Sequence, residues 1–339
     1  MGRVLILGAG VMGSALAVPA HDRGHAVTLA TTPEDADVLV ALRSDRGAHP
    51  KLGAPLPGAV RVVDAPDLTP ADAEADLMIV GVASPGIAWA ADEIARLRPA
   101  CPVALVTKGL VPREADVPET YATAFPGLLA ERGASVSALI GIGGPCIARE
   151  LAERHPTAVV YASADEGVAR GAADLVRTET YAVSTSTDIV GVEACAALKN
   201  FYAIGVSAMM GAHRRGEEPA RNPVARAFQM AVDEMVRLVP WLGGEATTAH
   251  GLAGMGDLHV TVGGGRNARL GRHLGTGMSV AAVMDGPMRG ETVEGVDVGR
   301  ALAPALAAQR AAVGPTPLAD AIIAAIGGEP FDWRAALDA

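Results

Sequence analysis

The feature that most restricts the fold is a glycine pattern close to the first residue. An apolar run at residues 4–7 is followed at once by Gly-Ala-Gly-Val-Met-Gly at residues 8–13, and an alanine-rich stretch of helical character comes next. In a strand–turn–helix unit the first glycine permits a tight turn, the second lets a pyrophosphate approach the backbone, and the third lets the helix pack on the sheet. The motif therefore predicts a dinucleotide-binding turn with the helix N-terminus facing the anion.

The first half of the chain alternates short β-rich runs with longer helical stretches, a pattern typical of a doubly wound, largely parallel sheet. The predicted strands are residues 4–7, 26–30, 60–63, 77–82, 103–106, 138–142, 158–162 and 181–184. From about residue 187 onward long Ala-, Val-, Leu- and Met-rich segments predict helices at 188–210, 223–240, 279–284, 298–313 and 317–326. We therefore predict an α/β fold, with an N-terminal Rossmann-like domain at 1–186 and an all-helical C-terminal domain at 187–339.

The composition argues against several classes of function. Acidic residues number 38 against 28 basic ones and aromatic residues make up 3% of the chain, whereas a nucleic-acid surface needs clustered positive charge and stacking rings. The three cysteines form no CxxC pair and the histidines lack ligand spacing, so neither a disulfide framework nor a metal site is expected. We find no uninterrupted apolar run of membrane-spanning length, so we expect no membrane span and a cytoplasmic location.

Ligands of a doubly wound sheet bind beyond the carboxyl ends of its strands. The second strand ends at Thr31 and Thr32, with neither an acidic residue for the ribose hydroxyls nor a basic one for a 2′-phosphate, so NAD and NADP both stay open. Ser84 follows the fourth strand and Lys108 the fifth. Lysine can titrate where arginine cannot, and the chain has only three lysines, so Lys108 is either a site residue or an ordinary solvated loop lysine.

Lys199 and Asn200 lie within an otherwise apolar predicted helix. Such a lysine either extends its ammonium group to water or is desolvated, and a desolvated lysine can exchange protons near neutrality. Periodicity alone does not choose between these two interpretations.

A glycine-rich cluster at residues 251–271 contains Asp257, Thr261, Arg266 and Asn267. Glycines this dense are costly in a helical domain unless the backbone must approach something closely. Arginine and asparagine beside exposed backbone amides would make a phosphate cradle. The alternative is a flexible loop between helices.

Together these motifs resemble the NAD(P)-dependent glycerol-3-phosphate dehydrogenase family over nearly the whole chain. The matching segments, in family order, are residues 8–13, 107–110 (Thr-Lys-Gly-Leu), 144–150 (Gly-Pro-Cys-Ile-Ala-Arg-Glu), 188–204 with its Ala-Leu-Lys-Asn core, 251–258, 266–267 and 293–295. The resemblance implies a Rossmann-like domain followed by a helical domain for substrate binding and dimerisation, and a homodimer. It also implies NAD or NADP as cofactor and a small phosphorylated substrate, with interconversion of sn-glycerol 3-phosphate and dihydroxyacetone phosphate.

The resemblance further implies roles for individual residues. Lys199 would be the general acid/base, and Lys108 and Asp257 the other catalytic residues. The implied substrate-binding residues are Lys108, Gly144, Asn200, Thr261, Arg266 and Asn267. With the residues at the strand ends added, the predicted cofactor-binding residues are Gly8, Gly10, Val11, Met12, Gly13, Thr31, Ser84, Lys108, Ala148, Arg266 and Glu294. The role implied for Lys199 agrees with the chemistry of the reaction. Reduction develops negative charge on the C2 oxygen, which an ammonium group can stabilise and protonate.

The chain departs from the usual family pattern around the substrate phosphate. Ala83 stands where proline is usual, Cys146 and Ile147 replace a hydroxyl residue and phenylalanine, residues 263–265 shorten a segment that normally ends in serine, and an arginine common near Met230 is missing. Another phosphorylated polyol or ketose is therefore an alternative substrate. A ketopantoate reductase-like enzyme acting on a 2-keto acid and a non-catalytic dinucleotide sensor are further alternatives, although the presence of both site lysines favours an active enzyme.

Overall fold

The computed structural model describes residues 1–44, 47–114, 116–216 and 218–337. The chain separates into two compact units, one formed by Met1–Lys108 and Tyr121–Ile189 and the other by Gly109–Thr120 and Val190–Ala339. The short segment Gly109–Thr120 thus belongs to the second unit, although it precedes the boundary placed between residues 186 and 187. The domain limits 1–186 and 187–339 stay a prediction.

The first unit is built on one eight-stranded sheet. Its strands are β1 (Arg3–Leu7), β2 (Ala26–Thr31), β3 (Arg61–Asp64), β4 (Leu77–Val80), β5 (Val103–Leu105), β6 (Leu139–Gly143), β7 (Thr157–Ala162) and β8 (Tyr181–Ser186). Their order is β3-β2-β1-β4-β5-β6-β7-β8, and every pair is parallel except β6 with β7. All eight predicted strands are confirmed, and the α/β fold class with them.

Helices connect these strands. They are α1 (Val11–Asp22), α2 (Ala36–Arg43), α3 (Ile87–Leu97), α4 (Tyr121–Ala130), α5 (Ala148–Ala152) and α6 (Glu166–Val176). The central strands are apolar throughout because both faces of a parallel sheet are covered, and all four residues of β4 are buried. Helix α3 buries one stripe of its surface, which is the periodicity of an amphipathic helix on a sheet.

The second unit is helical. It contains α7 (Ile189–Ala212), α8 (Arg221–Trp241), α9 (Asp257–Gly263), α10 (Gly265–Gly275), α11 (Val280–Asp285), α12 (Glu294–Ala308), α13 (Arg310–Val313), α14 (Pro317–Ile326) and α15 (Trp333–Ala336). A small hairpin of β9 (Arg214–Arg215) and β10 (Glu218–Pro219) lies between α7 and α8. The single helix predicted at 298–313 is wrong, since this segment holds most of α12 and all of α13.

Helix α7 is the core of the second unit. It is buried on all sides from Gly191 to Met209. By length and composition it could cross a membrane, but 89% of its most apolar window is buried inside the protein. A helix that is apolar all round and covered by other helices is a core helix.

Backbone-to-backbone contacts join α10 to α7. A methyl group added at Gly271 would clash with the carbonyl group of Ile204, and one added at Gly275 would clash with the carbonyl oxygen of Ala208. Only glycine leaves room for two helices to approach this closely. Part of the glycine-rich cluster therefore serves helix packing.

Replacing Gly271 with alanine is expected to lower the free energy of unfolding by about 1–3 kcal/mol, because the added methyl must displace the α7 backbone. Gly263→Ala is the matched control, since a methyl there meets nothing within 4 Å among the described residues. We expect the control to be neutral or slightly stabilising. Urea unfolding of both variants measures the difference, and equal stabilities would contradict the close approach of α10 to α7.

Candidate functional site

The turn between β1 and α1 has the geometry that its glycines predict. Gly8 has a φ of 102°, a conformation that favours glycine, and its N–H donates to the carbonyl of Ala30 at 2.8 Å. A methyl group on Gly13 would clash with the carbonyl of Gly8, so glycine here lets α1 pack on the turn. A methyl group on Gly10 would meet only the carbonyl oxygen of Gly81, at 3.7 Å, among the described residues. Packing does not require glycine at Gly10, which fits the close approach of a bound pyrophosphate.

His49 holds this turn, a role that the sequence analysis missed. The imidazole is only 3% exposed, its Nδ1 accepts the Lys51 N–H at 3.0 Å, and the ring also hydrogen-bonds to the backbone of Ala9. Burial lowers the pKa of His49, which favours the neutral ring. No local sequence pattern marks a histidine that becomes important only through a loop folding back on the turn.

Two hydrogen bonds link the segment after β4 to the segment after β5. The Ser84 hydroxyl donates to the carbonyl oxygen of Lys108 at 3.1 Å, and the Thr107 hydroxyl donates to that of Val82 at 2.7 Å. Ser84 and Lys108 therefore lie together at the carboxyl edge of the sheet, where a doubly wound fold binds its ligands.

Several predicted ligands of the first unit meet at one cavity. Met12, Lys108 and Gly144 line it together with Cys146, and its volume is about 20 Å³. Ala148 begins α5, and its side chain packs against the same apolar core as that of Met12. The structure thus brings together the start of α1 and the segments that follow β5 and β6.

Thr31 is not brought to the surface. It is 1% exposed, and its hydroxyl donates to the Asp64 carboxylate at 3.0 Å. The neighbouring Thr32 hydroxyl donates to Asp35 at 2.8 Å. The Asp64 and Asp35 carboxylates near the end of β2 therefore each accept a hydrogen bond from a threonine hydroxyl.

In the second unit a lysine, a carboxylate and a hydroxyl form one hydrogen-bonded group. The Lys199 ammonium donates to Asp257 Oδ1 at 2.9 Å and to Thr261 Oγ1 at 2.8 Å, and the Thr261 hydroxyl donates to the Asp257 carbonyl at 2.7 Å. Lys199 is 5% and Asp257 2% exposed. The interpretation of Lys199 as a solvent-extended lysine is therefore wrong. A buried ion pair with added hydrogen bonds fixes the ammonium group in one position.

The amides of Asn200 and Asn267 are linked beside this group. Asn267 Nδ2 donates to Asn200 Oδ1 at 3.0 Å, and its Oδ1 accepts the Gly295 N–H at 2.9 Å. Both asparagines are buried. This chain of hydrogen bonds connects α7, α10 and the first turn of α12, so three predicted site segments are joined.

Arg266, next to Asn267, has a half-exposed guanidinium group. It donates to Thr292 Oγ1 at 2.9 Å and forms an ion pair with Glu294. The predicted cofactor residue Glu294 thus lies against the predicted phosphate-binding arginine. A multiply charged phosphate arriving here would compete with a single carboxylate for the guanidinium group.

The glycine-rich segment is not a flexible loop. It forms a π-helix at Leu252–Gly256, followed by α9 and α10. A methyl group at Gly254 would clash with the carbonyl of Ala249, whereas methyl groups at residues 263–265 would meet nothing within 4 Å among the described residues. A π-helical turn directly before Asp257 is the kind of irregularity that often positions a functional residue.

A dinucleotide-binding turn on a doubly wound sheet, together with a buried lysine fixed by a carboxylate, defines the class of nicotinamide-dependent oxidoreductases. The family models agree. The model of the NAD-dependent glycerol-3-phosphate dehydrogenase N-terminus matches residues 3–169, and that of the C-terminus matches residues 188–330. The chain belongs to this family.

Individual relatives support the same conclusion. An NADP(+)-dependent glycerol-3-phosphate dehydrogenase from Archaeoglobus fulgidus is 35% identical over 282 residues, which cover 83% of this chain and 82% of the relative. A glycerol-3-phosphate dehydrogenase of Caulobacter vibrioides, named for NAD(P)+, is 32% identical and covers 96% and 93% of the two chains. The crystal structure of glycerol-3-phosphate dehydrogenase from Coxiella burnetii superposes with a TM-score of 0.79 at 26% identity, covering 99% of this chain and 97% of that chain.

Proposed function

We propose that the protein interconverts sn-glycerol 3-phosphate and dihydroxyacetone phosphate with NAD or NADP. The observation that carries this proposal is the buried Lys199, hydrogen-bonded to Asp257 and Thr261. A fixed ammonium group that has little competition from water is suited to a carbonyl oxygen on which charge develops. The family models across both units favour this reaction over a ketopantoate reductase-like one.

In the reductive direction the proposed steps follow from these contacts. The turn between β1 and α1 would hold the reduced dinucleotide, which would supply the hydride for C2. The Lys199 ammonium group stabilises the negative charge that develops on the C2 oxygen and then gives that oxygen a proton. Asp257 and Thr261 hold the ammonium group in place, and in the oxidative direction the neutral amine takes the proton back.

The substrate phosphate would be recognised by hydrogen-bond donors around Arg266. The guanidinium group is half exposed and already held in place by Thr292 and Glu294. Asn267 follows Arg266 in the chain, and its side-chain amide is hydrogen-bonded to that of Asn200. Lys108 and Gly144 stay proposed substrate ligands of the first unit. Bidentate recognition of phosphate oxygens is the geometry that an arginine offers and a lysine does not.

A coupled assay tests the proposal. Purified protein should oxidise NADH or NADPH when dihydroxyacetone phosphate is added, and the ratio of the two rates gives the cofactor preference. Activity on another phosphorylated ketose, with none on dihydroxyacetone phosphate, would overturn the substrate and keep the class of reaction. Binding of NADPH without turnover of any ketose would favour the sensor alternative.

We further propose a cytoplasmic homodimer that associates through the helical unit. The support is the family resemblance. Light scattering of the purified protein measures the mass directly, and a particle close to the 34.4 kDa of one chain would contradict the dimer.

A further inference from the structure

The cavity lined by Lys108 is also lined by a cysteine, Cys146, that has no part in the proposed dehydrogenase reaction. Cys146 lies between the end of β6 and the start of α5 and lines the cavity. It is partly exposed, whereas Cys101 and Cys195 are buried. Burial raises the pKa of the Cys101 thiol to about 11, so that thiol stays protonated at neutral pH. Of the three cysteines, Cys146 is the most exposed.

Two buried tyrosines lie near this thiol. Tyr161 and Tyr181 are fully buried, each hydroxyl interacts electrostatically with Cys146 and with the other hydroxyl, and Tyr181 lines the same cavity as Cys146. Neither hydroxyl makes a hydrogen bond of good geometry within the described residues. A buried hydroxyl without a partner costs about 1–3 kcal/mol, so an oxygen placed in the cavity beside Tyr181 would give its hydroxyl an acceptor.

The size of the cavity restricts what can be placed there. Its volume of about 20 Å³ accommodates one oxygen atom of the size of a water molecule. A sulfenic acid adds one oxygen to a cysteine sulfur, at the position nearest to the sulfur itself. The cavity therefore has room for the oxygen of a cysteine sulfenic acid, and the Tyr181 hydroxyl beside it can donate a hydrogen bond to that oxygen.

We propose that Cys146 is a site of reversible oxidation by hydroperoxides, with the sulfenic oxygen held in this cavity by Tyr181. The sulfur attacks one oxygen of the peroxide, a sulfur–oxygen bond forms and the oxygen–oxygen bond breaks. The sulfur is oxidised by two electrons, and the peroxide is reduced to water or an alcohol, which takes the thiol proton.

Oxidation at this position has a consequence for the proposed dehydrogenase. The added oxygen would lie beside Met12, Lys108 and Gly144, which are proposed ligands of cofactor and substrate. Turnover should fall as Cys146 is oxidised and return when dithiothreitol reduces the sulfenic acid. This consequence rests on the proposed function, whereas the oxidation itself does not.

Dimedone, which traps sulfenic acids, tests the site directly. The full chain is treated with hydrogen peroxide and dimedone, and the adducts are located by peptide mass spectrometry. We expect a single adduct per chain at Cys146, its retention in the matched control Cys101→Ser, and its loss in Cys146→Ser. An adduct mainly at Cys101 or Cys195, or none at Cys146, would overturn the proposal even if the protein is an active dehydrogenase.

Tyr181→Phe tests the holding role of the hydroxyl with almost no change in volume. Without this donor the sulfenic acid should be shorter-lived, so the variant should give less dimedone adduct and more irreversible sulfinic acid at Cys146. Equal amounts of both products in the variant and the parent protein would overturn the role of Tyr181. Because these readouts are masses, a protein inactive on every ketose still gives a decisive answer.

Discussion

Replacing Lys199 with alanine should lower turnover by about 10²–10⁴-fold, the range that a positioned proton donor contributes. The variant loses the group that protonates the C2 oxygen, while the dinucleotide-binding turn of the first unit is unchanged. Steady-state kinetics with dihydroxyacetone phosphate gives the loss, and a fluorescence titration with NADPH should show retained cofactor binding. Turnover within tenfold of the parent protein would contradict the assignment of Lys199.

The alanine variant also removes the ammonium group from the buried ion pair with Asp257, and breaking a buried pair costs about 3–5 kcal/mol of stability. Two further measurements separate chemistry from folding. Exogenous methylamine should partly restore turnover of Lys199→Ala, because it supplies an ammonium group to the space that the side chain leaves. Lys199→Arg retains the positive charge opposite Asp257 but cannot release a proton near neutrality, so it should fold better and remain inactive. An active arginine variant would show that charge alone suffices.

The central strands β4 and β5 could be predicted because each is a continuous apolar run that the sheet buries on both faces. The limits of α12 could not be predicted, because Glu294 and Asp297 in its first turn interrupt the apolar periodicity that marks a helix. The hairpin of β9 and β10 has two residues in each strand. Two residues are too few to show the alternation of a strand.

Site residues could be predicted where the chemistry requires one residue type. Their contacts could not be predicted where the partner lies far away in the sequence. Lys199 could be identified as a candidate, but its hydrogen-bond partner Asp257 lies 58 residues later in another helix. Thr261 was predicted to bind substrate, and the structure shows its hydroxyl hydrogen-bonded to Lys199, so a role as substrate ligand stays a prediction. Gly254 and Gly271 looked like parts of a ligand cradle, whereas the structure shows them packed against backbone carbonyls. Such contacts depend on tertiary geometry that local sequence does not contain.

Alanine at Gly10 and at Gly13 should separate the two uses of glycine in the dinucleotide-binding turn. The methyl of Gly10→Ala makes only an ordinary contact with the protein but would project toward the pyrophosphate. We expect the Kd for NADPH to rise about 10–100-fold, the equivalent of roughly 1–3 kcal/mol of steric cost, with unchanged stability in the absence of ligand.

Gly13→Ala should behave differently, because its methyl clashes with the carbonyl of Gly8 and so disturbs the protein itself. This variant is expected to lose about 1–3 kcal/mol of unfolding free energy as well as cofactor affinity. Gly171→Ala, on α6 where a methyl group meets nothing within 4 Å of the described residues, is the control for both measurements. Urea unfolding of the ligand-free variants measures their stability, and NADPH titration measures their affinity for the cofactor. If Gly10→Ala unfolds as easily as Gly13→Ala, or binds NADPH like the parent protein, then Gly10 does not serve the pyrophosphate.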